Sequence, residues 1–437
     1  MFEIEQFYQQ SKSGEKVELE ECLAFIKSFP KIIVWGAGNL GTVLGEHLKS
    51  DGIEISQYWD TRYESISMCN QIPVCEPFMQ IENKQDTLVI FCITNAFVTP
   101  QLFAQLKKEQ ICFLKGMYLY QAMVCPVSLK KFDIMECNSR KECNIAICEK
   151  MGHIIYEQNK QQDKLMIQSL DVYVTQNCSL KCKYCYIYEN SYPIEKKINY
   201  PTERILEDID IICESASYIK RMVAFGGEPF LHPDIDRIVA HMASKKNVGI
   251  IDVISNGIFS QPKEKLERLN FPNVKIDISN YNMSLDEKLI KIREKNCELL
   301  KELGLNVTIH NETPQWRRPG NFACSHLNEN QLTEKRKQCA NFVQGQETGA
   351  ATEQTFTLKN GKFYPCQYCD TLHNLEITSS PMDYVTLSKE DSAQEVVAKI
   401  KNVLKRPFYE ACNYCNGSIE VVSKAGEQGF DEEYCVR

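Results

Sequence analysis

No stretch of the 437 residues approaches the roughly 20 uninterrupted apolar positions that a bilayer-spanning helix requires. The first ten residues, MFEIEQFYQQ, lack the basic start and apolar run of a signal peptide, so a cytoplasmic location and no membrane contact are expected. Positive charge is in deficit as well. Fifty Lys and Arg against 58 Asp and Glu leave a net charge of −8, which argues against nucleic-acid partners held by clustered phosphate contacts. No Ser–His–Asp set for nucleophilic catalysis stands out, and there is no internal repeat or low-complexity tract. What remains is ordinary for globular protein: 43% hydrophobic and 25% charged residues, with the length of two or three domains.

Cysteine is the exception, at 21 residues. Without an export signal the compartment is reducing, so disulfides are disfavoured and thiols at motif spacing point to metal or cluster ligation. The remainder are expected as buried free thiols. Cys178, Cys182 and Cys185 lie in TQNCSLKCKYCY, directly after the apolar run LDVYV. Three thiolates from one short loop suit three irons of a four-iron cluster and leave the last iron open. The other reading of such a triple is structural zinc, although zinc sites usually pair cysteines at short spacing beside a second pair.

A second signal is Gly226–Gly227–Glu228–Pro229 at the end of the strand-like MVAF. Paired glycines there let backbone carbonyls approach a ligand closely, and Glu228 adds charge assistance. From about residue 168 strand-like and helix-like stretches alternate: LDVYVT, RMVAFGGE, GIIDVIS, NVKIDIS and LNVTIH, with a helical period ending at Gly304. That alternation predicts a parallel sheet with its site at the carboxyl ends of the strands. Ser255–Asn256–Gly257 and Ser279–Asn280–Tyr281 follow the third and fourth strands, and His310 closes the fifth.

The cysteine triple followed by GGEP resembles the radical S-adenosylmethionine (SAM) superfamily. The resemblance implies a partial (β/α)6 barrel whose cluster loop holds a 4Fe–4S cluster through Cys178, Cys182 and Cys185. It implies that Tyr184 lies against the SAM adenine and that Gly226, Gly227, Glu228 and Pro229 hold the SAM ammonium. Ser255 and Asn256 are implied as contacts to its ribose or carboxylate, and Ser279 with Asn280 and Tyr281 offers a further SAM- or substrate-facing group. It further implies reductive cleavage of SAM to a 5′-deoxyadenosyl radical, with electrons from a flavodoxin or ferredoxin.

Residues 1–125 follow a different logic. KIIVWGAGNLGTVLGEHL runs from a β-branched strand into Gly36, Gly38 and Gly41 and then a helical pattern, and a second strand ends at Asp60, nineteen residues beyond Gly41. This is the strand–turn–helix–strand–acid order of a Rossmann-like, doubly wound unit. Its ligand is open between a nucleotide or nucleotide-sugar and a partner chain. Residues 126–165 read as a charged connector with Cys125 at its edge and Cys137, Cys143 and Cys148 within.

The core is expected over 166–320 and a small α+β domain over 321–437. There Cys339, then Cys366 after the hairpin signal Asn360–Gly361, a helix, and Cys412–x–x–Cys415 resemble the twitch member of the SPASM-like family. That implies an auxiliary 4Fe–4S cluster on Cys339, Cys366, Cys412 and Cys415, with Cys324 and Cys369 as spare thiols able to replace one ligand. Zinc is again the alternative. Only Cys435 follows Cys415, which speaks against a second auxiliary cluster. The core and C-terminal third are similar to radical SAM dehydrogenases of butirosin assembly and to radical SAM proteins of polysaccharide clusters. Trp316, Arg317 and Arg318 belong to the latter likeness, and either arginine suits a substrate phosphate or carboxylate. These likenesses imply oxidation, epimerisation or rearrangement of a sugar, nucleotide-sugar or cyclitol, with a peptide substrate as the alternative.

Overall fold

The computed structural model describes residues 2–13, 19–79, 81, 83–93, 99–123, 164–310, 315–317, 320, 322–337, 339, 355–416 and 421–429. Cys125, Cys137, Cys143, Cys148, Arg318 and Cys435 lie outside the described residues. The chain divides into two compact units, Met1–Ile154 and Ile155–Arg437. Among the described residues no helix is long and apolar enough to cross a membrane.

The first unit is built on β1 (Lys31–Trp35), β2 (Gln57–Trp59), β3 (Met68–Cys69), β4 (Ile72–Cys75), β5 (Thr87–Phe91) and β6 (Cys112–Lys115). Their order is β3-β4-β2-β1-β5-β6, parallel throughout except for the β3–β4 hairpin. The β-branched run of β1 explains its central place. Ile32 and Val34 enter one apolar core while Ile33 and Trp35 enter another, so the strand is covered on both faces.

The second unit carries β7 (Leu165–Thr175), β8 (Ala216–Gly226), β9 (Val248–Ser255), β10 (Val274–Ile278) and β11 (Val307–Ile309), all parallel. Helix Thr202–Ser215 packs Ile205, Ile209 and Ile212 into the core that holds Leu170, Val172, Met222 and Ala224. The short β12 (Gln315–Arg317) pairs antiparallel with β16 (Val421–Lys424) in a separate two-stranded sheet.

Three described strands of the C-terminal region extend the sheet of β7. β13 (Thr355–Lys359) pairs parallel with β7, and β14 (Lys362–Tyr364) and β15 (Val385–Thr386) continue the same eight-stranded sheet. The free edge of β7 offers unpaired N–H and C=O groups, and β13 satisfies them. Asn360 and Gly361 turn the hairpin with φ of 44° and 80°, as a two-residue primed turn needs.

Candidate functional site

Because β7 to β10 run parallel, their carboxyl ends deliver the predicted motifs to one edge of the sheet. β7 ends at Thr175 and leads into the cysteine loop, β8 into Gly226–Pro229, β9 into Ser255–Gly257 and β10 into Ser279. The GGEP glycines let the loop and β8 approach each other. Gly227 N–H donates to Thr175 C=O at 3.0 Å and Glu228 N–H to Asn177 C=O at 2.8 Å. A Cβ on Gly226 would sit 2.1 Å from the Thr175 oxygen, and one on Gly227 would sit 2.2 Å from that of Asn177. Gly226 also holds φ of 140°, where glycine is favoured.

Glu228 is fully buried and braces the next strand end. One carboxylate oxygen accepts from Ser255 Oγ at 2.9 Å and from Phe230 N–H at 3.2 Å; the other accepts from Asn256 N–H at 2.8 Å. Pro229 starts the short turn Pro229–Leu231 that presents the Phe230 donor. Burial raises the Glu228 carboxyl from 4.5 to about 7, against the pull of those donors. Between these values the folded state keeps a proton that the unfolded chain has released, so stability falls as pH rises through the window. Glu228→Gln removes this titration. Thermal melts of both proteins across the window should show the wild-type curve losing ground to the variant as pH rises, whereas parallel curves would contradict the assignment.

Each thiol of the loop meets N–H donors. Asn256 Nδ2 points to Cys178 Sγ at 3.7 Å and to Ser179 Oγ at 3.1 Å. Gln428 Nε2 points to Cys182 Sγ at 3.4 Å. The backbone N–H groups of Glu189, Ile187 and Tyr188 point to the Cys185 sulfur, and that of Leu180 to Cys178. Burial pushes all three thiols up, Cys182 to about 12, so as free thiols they stay protonated. Among the described residues no group of three or more His, Cys, Asp or Glu side chains is placed to hold a metal ion. Yet inward-pointing N–H donors around buried sulfurs are the surroundings an anionic iron–sulfur group requires, and in that respect the loop fits one.

Tyr281 faces this loop. Burial raises its hydroxyl above the ordinary range, Ser279 opposes this by hydrogen bonding, and Cys182, Cys185 and Cys178 add to it. Trp316 packs edge-on against the Tyr281 ring at 5.2 Å. Tyr184 is half-buried, with the Lys183 ammonium 5.1 Å from its ring. The structure thus gathers the cysteine triple, GGEP, Ser255, Asn256 and Ser279. His310 lies beyond β11, 3.6 Å from Asp277, as part of a charged layer. In that layer Arg221 pairs with Asp252 beside Asp171, and Lys275 lies 2.7 Å from Asp277.

A second set of thiols gathers in the C-terminal region. Cys366 heads the helix Gln367–Asn374, its sulfur 3.5 Å from that of Cys369. Hydrogen bonding from the Cys369 side chain holds Cys366 below the usual thiol range, with the N–H groups of Cys369 and Tyr368 assisting. Cys412, pushed to about 12 by burial, feels the charges of Cys366, Arg336 and Cys415. Sequence spacing left Cys369 as a spare, but it is fully buried within this group; the overlooked signal was Cys366–x–x–Cys369, itself a CxxC. Cys339 is half-buried past the helix Glu329–Lys337, its N–H on the Arg336 carbonyl at 3.0 Å, and Cys324 lies beside Tyr414. Sequence reasoning also missed Arg336, buried 4.2 Å over the Tyr409 ring and donating to its hydroxyl at 3.0 Å.

In the first unit the glycine turn forms, but Asp60 is engaged within it. Its carboxylate accepts from Ala37 N–H at 2.9 Å and from the Arg62 guanidinium at 3.0 Å. Burial works against ionisation, yet Arg62 and Ala37 hold the carboxyl below its ordinary range. Asp60 therefore closes its own loop. Gly41 is needed for close packing, since a Cβ would lie 1.9 Å from the Gly36 oxygen; Gly36 takes φ of 118°, and Gly38 borders open space.

Comparison with known proteins matches residues 172–314 to the radical SAM superfamily. A probable GTP 3′,8-cyclase of Aeropyrum pernix is 29% identical over 168 residues, 35% of this chain and 46% of that protein. Molybdenum cofactor biosynthesis protein 1 of Homo sapiens is 33% identical over 118 residues, 27% of this chain and 17% of that protein. The chain thus spans less than half the length of these curated relatives. Among solved structures, BtrN in complex with AdoMet and 2-DOIA aligns at 13% identity and a TM-score of 0.33, covering 58% of this chain and 94% of BtrN. Streptococcus suis SuiB bound to precursor peptide SuiA aligns at 13% identity and 0.38, covering 78% and 90%. The matched residues 172–314 hold the cysteine loop and the strand ends around it, and the superfamily they match uses a 4Fe–4S cluster and S-adenosylmethionine as cofactors.

Proposed function

We propose that this protein is a radical SAM enzyme in which Cys178, Cys182 and Cys185 hold the SAM-binding cluster. The observation that carries this reading is three thiols, Cys182 buried and Cys178 and Cys185 half-buried, each met by N–H donors at the shared end of a parallel sheet. When bound and reduced, such a cluster cleaves SAM and supplies a 5′-deoxyadenosyl radical that takes a hydrogen atom from substrate. The chain's own residues position and exclude. Tyr184 offers a ring to the adenine, the backbone of Gly226 and Gly227 faces the ammonium, and Ser255, Asn256 and Ser279 take ribose or carboxylate. Glu228 and Pro229 act through the strand end they brace, since the carboxylate is engaged by Ser255, Phe230 and Asn256.

The substrate we propose is a small polar molecule: a sugar, nucleotide-sugar or cyclitol undergoing oxidation, epimerisation or rearrangement. The charged layer of Asp171, Arg221, Asp252, Lys275, Asp277 and His310 across β7 to β11 supports a hydroxylated or charged ligand over an apolar one. A second reading is a purine nucleotide, favoured by relatives named GTP 3′,8-cyclase. We assign the C-terminal thiols to an auxiliary 4Fe–4S cluster that accepts or relays an electron. Cys366, Cys412 and Cys415 keep their expected roles, and Cys369 takes the place first given to Cys339. The twitch-like arrangement of this region and the Rossmann-like character of the first unit belong to the same proposal. The latter is supported by the parallel order β4-β2-β1-β5-β6, and a flavodoxin or ferredoxin serves as reductant.

Deuterated sugars, nucleotide-sugars, GTP and peptides, each incubated with the reduced enzyme and SAM, test the substrate class. Label should enter 5′-deoxyadenosine from a sugar-bearing compound. Label arriving only from GTP selects the nucleotide reading, and label only from peptides overturns both.

A further inference from the structure

The last described residues reach back to the cysteine loop. β12 and β16 bring the chain beside Trp316 and Tyr281, and Gly426, at φ of 74°, passes so close to Tyr281 that a Cβ would lie 2.5 Å from the tyrosine Cβ. From there residues 427–429 form a bracket on residues 181–183. Lys183 N–H donates to Glu427 C=O at 2.6 Å, and Gly429 N–H donates to Lys181 C=O at 2.8 Å. Asn190 Nδ2 joins both sides, donating to Cys182 C=O at 2.8 Å and to Gly429 C=O at 3.3 Å.

Gln428 occupies the middle of this bracket. Its Oε1 accepts from Lys181 N–H at 2.8 Å, and its Nε2 donates to Gly426 C=O at 2.6 Å. Those two backbone partners fix which end of the amide is nitrogen, so a true N–H donor faces Cys182 Sγ at 3.4 Å. Reduction adds negative charge to an iron–sulfur cluster, and donors to its sulfurs stabilise the reduced form. We propose that Gln428 is a positioning residue that ties the cysteine loop to the C-terminal segment and, through its hydrogen bond to Cys182, raises the reduction potential of the cluster held there. The inference rests on the assignment of that cluster to Cys178, Cys182 and Cys185. It adds a control that no local motif supplies, because Gln428 stands 246 residues from Cys182.

The test is a potentiometric titration of the full, anaerobically reconstituted chain, following the SAM-responsive EPR signal in wild type, Gln428→Leu and Gln428→Glu. Glutamate keeps the oxygen that accepts from Lys181 but replaces the donor with negative charge; leucine removes both. The expected midpoints fall in the order wild type, Gln428→Leu, Gln428→Glu, with iron content retained in the glutamate variant. If leucine prevents loading, the glutamate variant carries the test alone. Coincident midpoints, or iron loss from the glutamate variant as well, would overturn the proposal. A wild type with no SAM-responsive signal would instead remove the cluster assignment itself.

Discussion

Cys182→Ala should abolish 5′-deoxyadenosine release and lower iron from about eight to about four per chain, the content of one remaining 4Fe–4S cluster. The effect is large because the three thiols act as one unit. Cys182 lies between its partners on a loop clamped by Asn256 on one side and Gln428 on the other, and the loop sequence holds no fourth sulfur. Iron and sulfide assays with quantitation of 5′-deoxyadenosine decide the matter. Cys369→Ala is the reciprocal case: it should lose the other four irons while SAM cleavage persists, since Cys369 belongs to the group of Cys366 and Cys412. If Cys182→Ala keeps its full iron and its activity, the ligand assignment is wrong.

Gly227→Ala should be nearly as damaging without touching a ligand. The added methyl would meet the Asn177 oxygen at 2.2 Å and Cys178 Cβ at 3.0 Å, so the loop must move. Such a shift also strains the Glu228 N–H bond to Asn177, one of the two that dock the loop on β8. Overpacking of this kind costs about 1–3 kcal/mol of stability, which a domain of this size survives. Positioning is less forgiving: a displacement of about 1 Å at a reactive site costs roughly 100-fold in rate. The variant should therefore fold, by circular dichroism, and cleave SAM at least about 100-fold more slowly. Wild-type rates in a folded Gly227→Ala protein would show that the close approach at GGEP does not matter.

What the sequence made legible was local. The cysteine triple, GGEP and the Ser255–Asn256–Gly257 turn each lie within a few residues, and parallel strands brought them together without further information. The Asn360–Gly361 hairpin was equally readable, because its two positive φ angles demand those residue types. The hidden features depend on segments meeting across long stretches of chain. Nothing near Gln428 announces a partner in the cysteine loop, and nothing in TFTLK says that β13 will extend the edge of β7. Cys369 and Arg62 are different cases. Cys369 sits in a CxxC and Arg62 two residues from Asp60, so both signals were present and were outweighed by a pattern expected elsewhere.

The central claim is that three thiolates leave one iron of a four-iron cluster open to SAM. EPR spectra of the dithionite-reduced Cys369→Ala protein, recorded with and without SAM, address it most directly because only one cluster remains to be observed. The account predicts a single cluster signal whose line shape changes when SAM is added and whose intensity disappears with the further change Cys182→Ala. A spectrum indifferent to SAM, or a loop that binds zinc and gives no signal, would contradict it.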